Sequence, residues 1–225
     1  MGIRTLLVSL ILLVAPSHLL ATGIRDFINA QNCDQVLDKG YYQICYDYNL
    51  KGARYVGYTL DGRKVNVNNI KKRPRFYPDR AIPRQYRTLP KDYAHNEFKA
   101  ERGHLAPDAS FDYDQRALES VYSMANIIPQ YKTINRKTWI KAEKYERLIA
   151  KKLGRITVVN GVIYGSNPKR MQKSGIAYPK AYWKMLFDNS GFERCFYYEN
   201  RRIKSAKGDQ LRQHEVACSK LKHRK

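Results

Sequence analysis

Histidine alone among side chains has an unperturbed pKa, about 6.5, that lets it exchange protons near neutrality. In this chain one histidine stands in company that suits it to chemistry. His104 follows Glu101, Arg102 and Gly103 and precedes Leu105-Ala106-Pro107-Asp108-Ala109-Ser110, which puts an imidazole, a guanidinium and a carboxylate beside tight turn residues. The chain carries 42 Lys and Arg against 20 Asp and Glu, a formal charge of +22. Such an excess calls for a polyanion, nucleic acid first, because Lys and Arg contacts to phosphate release counterions and supply affinity without reading bases. Charge alone fits a merely soluble basic surface equally well, so the histidine stretch decides. Phosphodiester hydrolysis needs an activated water, neutralised charge on the pentavalent phosphorus and a stabilised leaving oxygen, and each task needs a different group.

Three further stretches follow in order: Met124-Ala125-Asn126-Ile127-Ile128-Pro129-Gln130; then Asn135, Trp139 and Glu143; then Tyr178-Pro179-Lys180-Ala181-Tyr182-Trp183-Lys184. With Glu101 to His104, their order and spacing resemble the DNA/RNA non-specific endonucleases, the ββα-metal nucleases, over Cys45 to about Asn200. Glu101 stands where the family carries Asp. The resemblance implies an α+β fold, a central antiparallel β-sheet flanked by helices with a ββα-metal (His-Me finger) active site. It also implies Mg²⁺ or Mn²⁺ as cofactor, DNA and RNA bound through the phosphate backbone, and products ending in 5′-phosphate and 3′-hydroxyl.

Roles follow residue by residue. His104 is the expected general base, with Arg102 and a bound metal favouring its neutral form. Asn135 is the expected metal ligand, since a neutral amide oxygen suits a hard cation that keeps several waters; taken alone it would be a helix-capping residue. On an unbroken α-helix Glu143 lies about 80° around and ~12 Å along from Asn135. The resemblance therefore gives Glu143 an outer-sphere role, bonding metal-bound water and helping to protonate the leaving 3′ oxygen; a surface pair with Arg147 is the alternative. Arg54 and Arg102 are expected to hold substrate phosphate. Asn126 is expected to position the loop that carries His104 or Asn135. His95, His214 and His223 lack such surroundings, and Trp139 and Trp183 read as core.

These residues need elements to hold them. Ile44 to Tyr46, Arg54 to Leu60 and Lys64 to Val67 read as strands joined by turns at Lys51-Gly52 and Asp61-Gly62. Lys71 to Pro90, rich in proline and basic residues, reads as an extended loop, either a linker or a phosphate-contacting arm. Asp114 to Tyr122 reads as a short helix. A longer helix begins at Thr133 as N-cap and ends at Gly154. Ile156 to Tyr164, Ala181 to Phe187 and Arg194 to Tyr198 read as strands, and Ser205 to Lys225 as a basic helical tail.

The length suits one catalytic domain. Arg4 ahead of the apolar run Leu6 to Ala15 reads as a signal peptide over residues 1–21, being shorter than the ~20 residues of a membrane span. Residues 22–225 then form the endonuclease domain, secreted or periplasmic, with no stable membrane partner and an oligomeric state that the sequence leaves open. Behind an export signal, four cysteines read as two disulfides. Three pairings are possible; Cys33 with Cys45 and Cys195 with Cys218 is favoured because each closes a local loop. Zinc is disfavoured because no C-x-x-C spacing occurs. Two rivals remain: a non-enzymatic polyanion-binding protein, and a metal-independent ribonuclease that would ignore chelator and spare DNA.

Overall fold

The computed structural model describes residues 23–221. The signal-peptide reading and residues 222–225 lie outside the described residues. Nine strands, β1 (Gln35–Asp38), β2 (Tyr42–Asp47), β3 (Gly52–Asp61), β4 (Glu101–His104), β5 (Ile127–Gln130), β6 (Arg155–Ile163), β7 (Ala181–Phe187), β8 (Glu193–Glu199) and β9 (Glu215–Val216), alternate with helices α1 (Ile24–Phe27), α2 (Gln115–Ser120) and α3 (Ile140–Leu153). Seven strands form one antiparallel sheet in the order β1-β2-β3-β6-β7-β8-β9, while β4 and β5 pair separately.

The apolar run of β6 and the fully buried β7 have one cause: the sheet is covered on both faces. Side chains of a strand alternate between faces, and here Val158, Tyr182 and Leu186 join the main core while Val159, Trp183 and Met185 join a smaller one. The smaller core is closed by Phe27 and Ile28 at one end of the chain and by Cys218 and Leu221 at the other. Both disulfides, Cys33–Cys45 and Cys195–Cys218, staple this thin cover in the favoured pairing.

Three local expectations change. Lys64 to Val67 is a turn rather than a strand, because the N–H groups of Lys64 and Val65 both bond back to the Asp61 carbonyl. The tail is not an α-helix but two 3₁₀ turns around β9, whose backbone groups are taken by β8. Thr133 is no N-cap: it already has helical φ and ψ, and residues 134–139 continue as a π-helix into α3. Gly154, at φ +80°, does end α3, and Asp114 caps α2 by accepting from the Ala117 N–H.

One charged node crosses the main core. Lys184 on β7 and Glu146 on α3 are both wholly buried and ion-paired. The Glu146 carboxylate also accepts from Tyr58 on β3, at 2.9 and 3.1 Å, and from Ser110, at 2.7 Å. The Tyr58 hydroxyl in turn accepts from Lys184 and from Asn160 on β6. Breaking one side of such a pair strands a buried charge at a cost of about 3–5 kcal/mol, whereas replacing both sides with apolar groups is often near neutral. Lys184→Met is therefore expected to lose about that much stability in urea titration with the disulfides intact, and Lys184→Met/Glu146→Leu to regain at least half of it. A loss below about 1 kcal/mol, as at a solvent-exposed pair, would contradict the buried-pair reading.

Candidate active site

β4, β5 and the helical segment that follows make a ββα unit, with His104 at the end of β4. The ladder pairs His104 with Ile127 and Gly103 with Ile128. Gly103 is needed there, since a Cβ would stand 2.2 Å from the buried Gln130 side chain. Past the strand, Asn126 holds the loop. Its Oδ1 accepts from the Ala106 N–H at 2.8 Å, and its Nδ2 donates to the Ala106 and Val121 carbonyls at 2.9 Å each. The Leu105 carbonyl accepts from Asn160 at 3.0 Å, which ties the same loop to the Glu146–Lys184 node.

The His104 ring lies against Phe76 and Tyr122, with centroids 5.3 and 5.0 Å away. Its Nε2 is buried and without a hydrogen-bond partner. Burial lowers its pKa to about 4; Asp108 pulls it up, while Arg102 and Arg73 push it down. The imidazole is therefore a neutral, proton-accepting base across the physiological range. Asp108 itself is bonded by the Tyr122 hydroxyl and the Arg73 guanidinium, both at 3.1 Å. Arg73 and Asp108 are the neighbours that the role assignments omitted, although Asp108 belongs to the histidine stretch and Arg73 to the basic loop read as either a linker or a phosphate-contacting arm.

Asn135 sits in the first turn of the π-helical stretch, across from β4. Its Nδ2 donates to Glu101 Oε2 at 3.0 Å, and Arg136 pairs with the same carboxylate at 2.8 Å. The extra methylene of Glu101 thus reaches the helix, whereas Arg102 lies over the Phe76 ring, 4.5 Å from its centroid. Asn135 Oδ1 accepts no hydrogen bond from the described residues, which leaves an amide oxygen open to a cation. A neutral amide oxygen is a hard donor, which suits a divalent cation that keeps most of its waters. Glu101, Arg102, Asn135, Arg136 and Phe76 line one cleft of about 460 Å³.

The π-helix alters the expected relation of Asn135 to Glu143. Its i→i+5 bonding spreads each turn over more residues, so the rotation per residue falls below 100° and Glu143 comes nearer the Asn135 face than ~80°. Glu143 is half-buried. Burial raises its pKa to about 7 against the pull of Lys184; Glu146 adds to the rise, Arg147 opposes it and Asp108 adds again. No ion pair joins Glu143 to Arg147 among the described residues; Arg147 is itself buried, and its Nη1 lacks a partner.

Arg54 is not brought to this cluster. The β2–β3 register steps from Cys45↔Tyr55 to Tyr46↔Ala53, so Arg54 is the unpaired residue of a bulge, and bulges re-aim side chains. Its guanidinium is held by Asp47 at 2.6 Å in a hollow beside Cys33 and Asp34. Of the other histidines, His214 bonds Asp209 at 2.7 Å and stacks on Tyr198.

A pH consequence follows from His104. Its folded pKa lies below the ordinary 6.5, so the unfolded chain binds its proton more readily, and the stability it contributes is full above 6.5 and is lost as pH falls toward 4. In metal-free protein the His104 Hε1 resonance is expected to titrate near pH 4. A midpoint near 6.5 would show a solvated ring and remove the argument for a buried base.

The profile of the DNA/RNA non-specific endonucleases matches residues 22–225. Mitochondrial endonuclease G of Homo sapiens is 26% identical over 144 residues, 64% of this chain and 48% of that protein. The salivary endonuclease of Lutzomyia longipalpis is 35% identical over 96 residues, 39% of this chain and 23% of that protein. Nuclease C1 of Cunninghamella echinulata is 25% identical over 187 residues, 78% of this chain and 73% of that protein. The chain thus spans about half the length of the mitochondrial endonuclease G it matches. A chain of the solved EndoG/EndoGI complex superposes with TM-score 0.73 at 19% identity, covering 84% of this chain and 82% of that one. With the profile spanning nearly the whole sequence and the same fold beneath it, the chain belongs to the DNA/RNA non-specific endonuclease family.

Proposed function

We propose that this protein is an exported, Mg²⁺-dependent endonuclease that hydrolyses DNA and RNA with little sequence preference and leaves 5′-phosphate and 3′-hydroxyl ends. The observation that carries the reading is the pairing of a bare, buried His104 Nε2 with an Asn135 whose oxygen is open and whose amide is tied to the strand bearing His104. The two disulfides and the run at residues 1–21 support export. Little base reading is expected, because phosphate contacts carry no sequence information.

His104 takes the proton of the attacking water as its oxygen bonds to phosphorus. The bond from phosphorus to the 3′ oxygen breaks on the opposite side. Asn135 would hold a divalent cation through its amide oxygen, and that cation would supply charge neutralisation on the phosphate. Arg102 faces the same cleft and adds positive charge where negative charge builds up. Glu143, with a proton affinity raised to about 7, is suited to deliver a proton to the leaving 3′ oxygen. Asn126 acts by position, keeping the His104 loop at a fixed distance from the helix bearing Asn135. Arg54, occupied by Asp47, leaves the phosphate to Arg102 in this reading.

Digestion of supercoiled plasmid and single-stranded RNA by the mature protein tests it. Cleavage of both is expected with Mg²⁺ and not with chelator, and His104→Ala is expected to lower the rate about 10²–10⁴-fold, the usual contribution of a general base. Tight, salt-sensitive binding of both polymers without cleavage in any of several divalent metals would overturn the enzyme reading. Glu101→Ala, which frees the Asn135 amide, is expected to raise the Mg²⁺ concentration for half-maximal rate about 10–100-fold, as loss of a ligand's supporting partner does. An unchanged Mg²⁺ requirement would remove Asn135 as the ligand that Glu101 orients.

A further inference from the structure

Beside the active-site cleft, along the outer side of the same helical segment, lies a second concavity of about 520 Å³. Lys132, Arg136, Lys137 and Lys141 line it from the helix, and Lys204 and Lys207 from the loop that follows β8. Lys141 is neutralised by Asp209 at 2.6 Å and Arg136 by Glu101 at 2.8 Å. Lys132, Lys137, Lys204 and Lys207 are exposed and pair with no carboxylate of the described residues. Four uncompensated ammonium groups around one hollow repel one another, and an anion between them relieves that repulsion. Arg136 lines this cleft and also the one that holds Arg102 and Asn135, so the two are adjacent.

We propose that this basic cleft is a second phosphate subsite, which holds the backbone of the same nucleic-acid strand to one side of the bond being cut. The inference rests on the nuclease reading above and adds a property to it: the enzyme works best on chains long enough to reach from His104 past Arg136 to Lys204 and Lys207. Because the contacts are lysine to phosphate, the subsite discriminates by length and salt rather than by base.

The test compares the wild-type protein, Lys204→Glu/Lys207→Glu, and Lys151→Glu/Lys152→Glu, a charge-matched control at the far end of α3. Each is assayed with Mg²⁺ on a dinucleotide and on a strand of about a dozen nucleotides, and binding of the labelled long strand is followed by fluorescence anisotropy in chelator. Each phosphate contact contributes roughly 0.7–0.9 to the slope of log affinity against log salt, and two contacts change affinity about tenfold between 50 and 200 mM salt. Lys204→Glu/Lys207→Glu is expected to lower the long-to-short ratio of kcat/KM about tenfold, mainly through KM, and to flatten the salt slope of binding by about 1.4–1.8. The control is expected to keep the wild-type ratio and slope. An unchanged ratio and slope in Lys204→Glu/Lys207→Glu, or an equal change in the control, overturns the subsite. Absence of cleavage by the wild-type protein would count against the nuclease reading alone, since the anisotropy still decides whether the cleft holds a strand.

Discussion

The structure turns on an ammonium and a carboxylate that have both been taken out of water. Lys184 and Glu146 are fully buried, and their pairing is supported by three neighbouring polar side chains: Tyr58 and Ser110 donate to the carboxylate, while Lys184 and Asn160 donate to the Tyr58 hydroxyl. Desolvating two such charges is costly and is repaid only when the remaining lone pairs and protons are also satisfied. That requirement fixes β3, β6, β7 and α3 relative to one another. Through Ser110, and through Asn160 on Leu105, it also fixes the loop that begins at His104.

The node also sets the electrostatics of the site above it. Lys184 draws the Glu143 proton affinity down, Glu146 raises it, and burial leaves it near neutrality. At His104 burial dominates, and the ring stays neutral despite a nearby carboxylate. A histidine held neutral and a carboxyl whose proton affinity is raised toward neutrality thus occur in one strongly cationic protein. Environment rather than residue type sets both.

A formal charge of +22 favours capture of a polyanion and disfavours compactness, because like charges repel. The sheet's second face has the smaller core, covered by four residues of α1 and a tail without an α-helix. Both disulfides lie there, each closing a short loop and restricting the unfolded chain. The face bearing the charged node and the His104 loop carries neither disulfide and is held by packing, hydrogen bonds and ion pairs.

The amino-acid sequence by itself determined the strands whose apolar runs are long, β3, β6, β7 and β8, together with the place of α2, the end of α3 and the favoured cysteine pairs. These rest on local rules: periodicity, a glycine at positive φ and short loop closure. It also singled out His104, Asn126, Asn135 and Glu143, because motif residues and their spacing are sequence properties. Tertiary structure alone decided the rest. Arg54 turned to Asp47 because a bulge depends on the register between two strands, and register is a pairing of distant residues. The π-helix that brings Glu143 toward Asn135 leaves no mark in the hydrophobic pattern. The burial that lowers the proton affinity of His104, and the Lys184 charge that opposes the effect of burial on Glu143, involve side chains far along the chain, such as Phe76 and Lys184, which meet them only once the sheet has formed.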